Sequence, residues 1–278
     1  MIHLMYAGND RVFDGLMISS LSAAKHAREP LTLWLLTMDY TEARDVYTPI
    51  TERQCAFLEQ VLQEKNPDSR VVRCDLGDLY RLFLKNNPNE ETSYTPYCML
   101  RLLADRVPGL PDKVLYVDTD TVFARDPALL YHMDISKYEA AVVRDRYGRR
   151  VFGRNYFNSG VMLMNVYALR RSGALKRAVF LCSKRKIFLP DQSALYMTIR
   201  KKKMLPSRFN EQKKLRRRTV IRHFSMTINW RLPRFYTRNI KPWQIDELHG
   251  VLHCHEFDDI LAEWKLRKAE LESAEQNS

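Results

Sequence analysis

Glycine is scarce in this chain, nine among 278 residues, and neither GxGxxG nor GxxxxGKS/T occurs. The first absence removes the tight turn that lets backbone approach a dinucleotide pyrophosphate. The second removes the amides that cradle P-loop phosphates. Cysteine offers no framework either: Cys55, Cys74, Cys98, Cys182 and Cys254 are scattered, odd in number and without a CxxC pair. That usage excludes a disulfide scaffold and a structural zinc ribbon, and is expected of a reducing compartment. No apolar run is long enough to span a bilayer. Asp10, Arg11 and Asp14 interrupt the first apolar stretch, so no signal peptide is read and a cytoplasmic location is expected.

What is present is enough apolar residue, 45% of the chain, for one large core. The net charge of +12 is concentrated. Fifteen Lys and Arg lie between Arg200 and Lys241 against one acid, Glu211, so this segment exceeds the whole net charge and the remainder is near neutral. Interleaved with Trp230, Phe235, Tyr236 and Trp243, such a segment suits phosphates, an anionic membrane surface or an acidic acceptor. Its plainer reading is a solvated rim.

Periodicity gives alternating strands and helices. Residues 2–7 read as a strand, followed by the polar loop Gly8-Asn9-Asp10-Arg11 and a helix to His26. Residues 31–37 and 71–75 read as strands, with a helix between them opened by the capping-box spacing of Thr51 and Gln54. Helices are expected near residues 78–84 and 97–107, strands at 140–143 and 160–165, one helix over 166–182, another from Asp191, and a charged helix from Asp258 into a polar tail. This order implies an α/β sandwich.

The most informative stretch is KVLYVDTDTVF, residues 113–123. A continuously apolar strand ends in Asp118-Thr119-Asp120, where the strands of an open α/β sheet meet the ligand crevice. Alternation turns Asp118 and Asp120 to one side. Two hard carboxylates so spaced suit a divalent cation that keeps open positions for a diphosphate. A polar turn explains one of them more easily than both. Further clusters follow: Arg101 in PYCMLRLLADRV, YFNSGVMLMN, PDQ, TVIRH and KPW.

In this order and spacing the motifs resemble glycosyltransferase family 8, the family of glycogenin and the bacterial lipopolysaccharide galactosyl- and glucosyltransferases. The resemblance extends over residues 1–243. It implies a GT-A fold, a Rossmann-like mixed sheet flanked by helices in a single catalytic domain. That domain is placed at residues 1–245, followed by a helical extension at 246–278. It further implies a UDP-sugar donor, Mn²⁺ or Mg²⁺, and transfer of a hexose, glucose or galactose, to a saccharide with retention. On the matching positions, Asp118, Asp120 and His223 would hold the metal, with the imidazole admitting manganese as well as magnesium. Ala7, Asn9, Arg11 and Thr119 would meet the nucleoside. Arg101 would reach the donor sugar and diphosphate, and Lys241 would neutralise the leaving diphosphate. Asp145 and Asn158 would lie by the sugars, and Asp191 with Gln192 beside the anomeric carbon. Because an amide is a poor nucleophile, attack from the face of departure is expected, with Gln192 positioning the sugar.

Two features depart from the family pattern. Ala7-Gly8-Asn9 stands where an aspartate is frequent, and residues 224–240 separate His223 from Lys241 without a glycine. Acceptors expected of such an enzyme are lipid-linked or envelope glycans, with peripheral contact at an anionic membrane. Two rival readings stand beside this one. The DxDxV run resembles a haloacid-dehalogenase-type Mg²⁺ phosphatase, which would need Asp258-Asp259 as its second acidic motif. The basic segment allows a nucleic-acid-binding protein, but no binding module accompanies it and no nucleic acid is expected. His253 and His255, flanking Cys254, are weaker metal candidates than His223.

Overall fold

A computed structural model describes residues 1–90, 95–231 and 234–276, apart from the side chains of 228–231, 234–236 and 275–276. The strands are β1 (Ile2–Ala7), β2 (Leu31–Thr37), β3 (Arg70–Asp75), β4 (Lys113–Val117), β5 (Thr121–Phe123), β6 (Ala140–Arg144), β7 (Phe157–Asn165), β8 (Lys202–Leu205), β9 (Ile221–His223), β10 (Thr227–Arg231) and β11 (Arg234–Arg238). The α-helices are α1 (Phe13–His26), α2 (Glu52–Lys65), α3 (Gly77–Phe83), α4 (Ala128–Tyr131), α5 (Val166–Ser172), α6 (Ala174–Lys184), α7 (Pro190–Thr198), α8 (Ile245–Gly250) and α9 (Asp258–Gln276).

Seven strands form one sheet in the order β3-β2-β1-β4-β7-β6-β8. β7 is antiparallel to both its neighbours, and the other pairings are parallel. Alternation along each strand divides the core between two faces. Leu4, Tyr6, Leu33, Leu35, Leu115 and Val117 pack with α1, α2 and α9. Met5, Trp34, Leu36, Val114 and Tyr116 pack with the helices around residues 97–104 and 174–199. Covered on both faces, β2 is buried throughout and β7 in all but its last residue, whereas the edge strands β3 and β8 carry Arg70, Arg73, Lys202 and Lys203.

The expected capping box is formed: Gln54 N–H donates to Thr51 Oγ1 at 3.1 Å and Thr51 N–H to Gln54 Oε1 at 2.9 Å. Gln54 Nε2 also donates to Asp10 Oδ1 at 2.6 Å, tying α2 to the loop after β1. The helix read over 166–182 is instead two, because Gly173 takes φ 67°, ends α5 and starts α6 in a new direction. The helix near 97–107 is a 3₁₀ helix, Pro96–Arg106, in which residues three apart eclipse and Cys98 lines up with Arg101. Residues 227–231 and 234–238 pair as an unforeseen antiparallel ladder, with Thr227 opposite Arg238. The side chains of Trp230, Phe235 and Tyr236, on which the membrane expectation partly rests, lie outside the described residues. α9 lies on α1, with Trp264 Nε1 donating to Asp14 Oδ1 at 3.1 Å. Among the described residues no helix is long and apolar enough to cross a membrane.

Candidate active site

β4 ends at Val117, opposite Val161 of β7, and the Asp118 amide continues the ladder by donating to Gly160 O at 2.8 Å. The turn through Thr119 and Asp120 leads into β5, which pairs with β9 so that Thr121 faces His223. Phe224 N–H donates to Asp120 O at 2.9 Å. Two short ladders therefore bring His223 against the aspartates from a hundred residues away. The ligand-type atoms of Asp118, Asp120 and His223 lie within 4.8 Å of one another.

Each carboxylate has one oxygen pinned by a cation and the other turned to the imidazole. Asp118 Oδ1 accepts from an Arg101 guanidinium N–H at 2.7 Å and from Tyr116 OH at 2.6 Å, while its Oδ2 is 3.8 Å from His223 Nε2. Asp120 Oδ2 is paired with Lys241 Nζ, and its Oδ1 stands 3.0 Å from His223 Nε2. Burial alone would raise the Asp120 carboxyl. The adjacent Lys241 and His223 outweigh it and hold the group well below the usual carboxylate range.

Arg101 is the hub of one wall. It donates to Ser159 O at 2.9 Å and Ser159 Oγ at 3.2 Å, and its Nε lies 3.4 Å from Asp191 Oδ2. Burial opposes the Arg101 charge, but Asp118, Tyr116 and Asp191 more than restore it and raise its pKa. Asp191, in the first turn of α7, is pushed up by burial, an effect only partly countered by Arg101. Gln192 Oε1 accepts from Ser159 N–H at 3.0 Å, which leaves the amide nitrogen buried and without a partner.

A second wall is a relay of hydrogen bonds. Asp145 Oδ1 accepts the amides of Tyr147 and Gly148, and its Oδ2 accepts from Asn158 Nδ2 at 3.1 Å. Asn158 Oδ1 accepts from Asn210 Nδ2 at 2.8 Å, which fixes Asn210 Oδ1 as the acceptor for His223 Nδ1 at 3.1 Å. The imidazole Nδ1 is thereby the donor to Asn210, and Nε2 is turned toward the aspartates. An orientation set from behind is the device that tunes metal-bound histidines. Asp145 stands three hydrogen bonds behind the histidine, its carboxylate already engaged.

Of the nucleoside candidates, Ala7 ends β1, Asn9 is buried with its Nδ2 donating to Val46 O at 3.3 Å, and Arg11 is exposed in the turn Asp10–Val12. Thr119 is half-buried, and its carbonyl lies where a Cβ on Gly15 of α1 would come within 2.7 Å. Lys241 reaches the site despite the long separation, because the pairing of β10 with β11 brings Thr227 opposite Arg238. Trp243 then packs over Gly15, where any Cβ would sit 2.3 Å from the indole.

The residues fit a divalent cation. Asp120 Oδ1 is buried without a hydrogen-bond partner, 3.0 Å from His223 Nε2. Gly160 is the one residue type that leaves room, since a Cβ there would fall 2.2 Å from His223 Cε1 and 2.6 Å from Asp118 Oδ2. Tyr116, Ser159 and Asn210 were missed as site residues. Alternation along β4 places Tyr116 on the side of Asp118, and Ser159 lies within the NSG motif, but Asn210 has no local signal. The phosphatase reading fails on placement: Asp258 is bonded to His249 and His255 and Asp259 to Lys25, away from Asp118. His253 is in neither group of ligand-type residues, and His255 belongs to a separate one.

A model of glycosyl transferase family 8 matches residues 3–246. The chain is 30% identical over 132 residues to Glycosyltransferase GlyA of Streptococcus pneumoniae serotype 4, 47% of this chain and 18% of that protein. It is 32% identical over 116 residues to the probable glycosyl transferase Gly of Streptococcus gordonii, 41% of this chain and 17% of that one. The chain thus covers less than a fifth of the length of either relative. Among solved structures, an active-site mutant of LgtC superposes with TM-score 0.70 at 17% identity, covering 94% of this chain and 96% of that one. LgtC in complex with donor and acceptor sugar analogues gives 0.64 at 18% identity, covering 96% of this chain and 100% of that one. At these identities the likeness is one of fold.

Proposed function

The chain belongs to glycosyltransferase family 8 and has its GT-A fold, and from that premise we propose a metal-dependent, retaining transfer of glucose or galactose from a UDP-sugar to a saccharide acceptor. The catalytic domain is placed at residues 1–245, with 246–278 as an extension. The observation that carries this reading is the convergence of Asp118 Oδ2, Asp120 Oδ1 and His223 Nε2, with Arg101 and Lys241 bound to the remaining oxygens.

A Mn²⁺ or Mg²⁺ ion held by these three residues would act as a Lewis acid on the donor diphosphate. Arg101, fixed by Ser159 and Asp118, supplies preorganised positive charge that costs no reorganisation when the phosphate charge grows. Lys241 supplies a second cation on the opposite side of Asp120. Ala7, Asn9, Arg11 and Thr119 form the nucleoside side of the crevice. Gln192 favours the same-face route. Its carbonyl oxygen is occupied by the Ser159 amide, and its free amide N–H can donate to a sugar hydroxyl. Asp191 is buried against Arg101, a poor disposition for a nucleophile. Asn158 and Asp145 hold the wall beside the sugars.

The acceptor is proposed to be lipid-linked or anionic, met at the cytoplasmic face of a membrane. Lys213, Lys214, Arg216, Arg217 and Arg218 are exposed together. By contrast, Arg222 is buried over Phe224, and Lys241 belongs to the site. The test is UDP release from a panel of UDP-sugars with Mn²⁺ and candidate saccharides, with and without chelator, beside phosphatase and nucleic-acid-binding controls. Chelator-sensitive UDP release is expected; phosphatase activity or nucleic-acid binding without it would overturn the proposal.

A further inference from the structure

We propose that His249, His255 and Asp258 form a second divalent-cation site, of zinc-type preference, at the junction of α8 and α9. His249 lies in the last turn of α8, His255 follows a tight turn, and Asp258 is the first residue of α9. His249 Nε2 is 2.7 Å from Asp258 Oδ1, and His255 Nδ1 is 3.3 Å from Asp258 Oδ2. The two rings lie nearly parallel, 30° apart with centroids at 4.2 Å, and the three ligand atoms fall within 4.8 Å of one another.

The turn itself is specialised for this approach. His253 adopts φ 50°, a left-handed conformation that a residue with a Cβ holds only when its surroundings impose it. Its amide donates to His249 O at 3.2 Å, the Cys254 amide to Leu248 O at 3.2 Å, and the Asp258 amide to His255 O at 3.2 Å. These bonds fold residues 248–258 back so that two histidines six apart in sequence face one carboxylate. All three side chains are partly open to solvent, which gives an ion a path in.

The donor set decides the metal. Two imidazoles and one carboxylate favour Zn²⁺, Ni²⁺ or Cu²⁺ over Mg²⁺ and Ca²⁺, whereas Asp118, Asp120 and His223 offer mainly hard oxygen. Three protein ligands leave a fourth position for water. A bound ion would clip the start of α9 to the end of α8. α9 is already fastened to α1 by Trp264 and by Lys268, whose Nζ is 2.8 Å from Asp14 Oδ2. The site would therefore brace this junction rather than hold α9 in place alone, and it is independent of the transferase reading.

The test is titration of the full-length chain with Zn²⁺ by calorimetry, in an Asp118→Asn/Asp120→Asn background that disables the first centre. One Zn²⁺ per chain is expected, weakened at least tenfold by adding either His255→Ala or His249→Gln, with loss of the Zn²⁺-dependent rise in Tm. Circular dichroism in metal-free buffer confirms that each variant is folded. Using the two histidine variants separately keeps the test decisive if one fails to fold. No Zn²⁺ binding in the double-aspartate background, or binding unchanged by both histidine substitutions, would overturn the proposal.

Discussion

Gly160→Ala is the smallest change with the sharpest expected effect. An added Cβ would sit 2.2 Å from His223 Cε1, where ordinary contact begins near 3.4 Å. The imidazole or the strand must therefore move by about 1 Å, and Asp118 Oδ2, at 2.6 Å, moves with it. Gly160 is not among the glycines at positive φ, so its backbone tolerates alanine and the cost falls on the site. Overpacking of one methyl costs about 1–3 kcal/mol, which in a domain of this size lowers Tm by only a few degrees to about 10 °C. A misplacement of about 1 Å can cost on the order of a hundredfold in rate. The expected result is a folded variant with weakened Mn²⁺ binding and kcat for UDP release reduced about a hundredfold. Wild-type Mn²⁺ affinity and turnover would refute the placement of His223 and Asp118 around a common centre.

His223→Ala is expected to weaken Mn²⁺ binding strongly, and His255→Ala to leave it unchanged; the reverse ranking in a Mn²⁺ titration would displace the third ligand. Asn210→Ala removes the acceptor that orients His223 Nδ1–H, and a loss of about 10–100-fold in metal affinity is expected, with the orphaned buried donor costing about 1–3 kcal/mol and Tm falling by a few degrees to about 10 °C. The exposed basic run is expected to bring the chain down with anionic vesicles at low salt, each Lys or Arg near the surface adding about 1 kcal/mol. Co-sedimentation unchanged after neutralising Lys213, Lys214, Arg216, Arg217 and Arg218 would count against that docking.

The sequence carried the parts of the site that are local. The apolar run before Asp118-Thr119-Asp120 announces a buried strand opening into a crevice, and strand alternation is enough to add Tyr116. Arg101, Asn158 and Gln192 were reachable only through a family resemblance, because each comes from a different element and meets the others in three dimensions. Asn210 lies 52 residues from Asn158 and 13 from His223, and no pattern along the chain links the three. The pairing of β10 with β11 has no signal along the chain, since it lies in cross-strand register and not in composition. The break at Gly173 was legible in principle: a glycine inside a helical pattern also marks a C-cap. Alternation along the chain suggests His253 as the partner of His255. The left-handed turn pairs His255 with His249 instead.

The most direct test of the metal centre as the seat of transfer is UDP release by the wild-type chain and by Asp118→Asn/Asp120→Asn, each with Mn²⁺ and with chelator. With both proteins folded by circular dichroism, Mn²⁺-dependent release is expected from the wild type alone. Undiminished release from the chelated double variant would contradict the account.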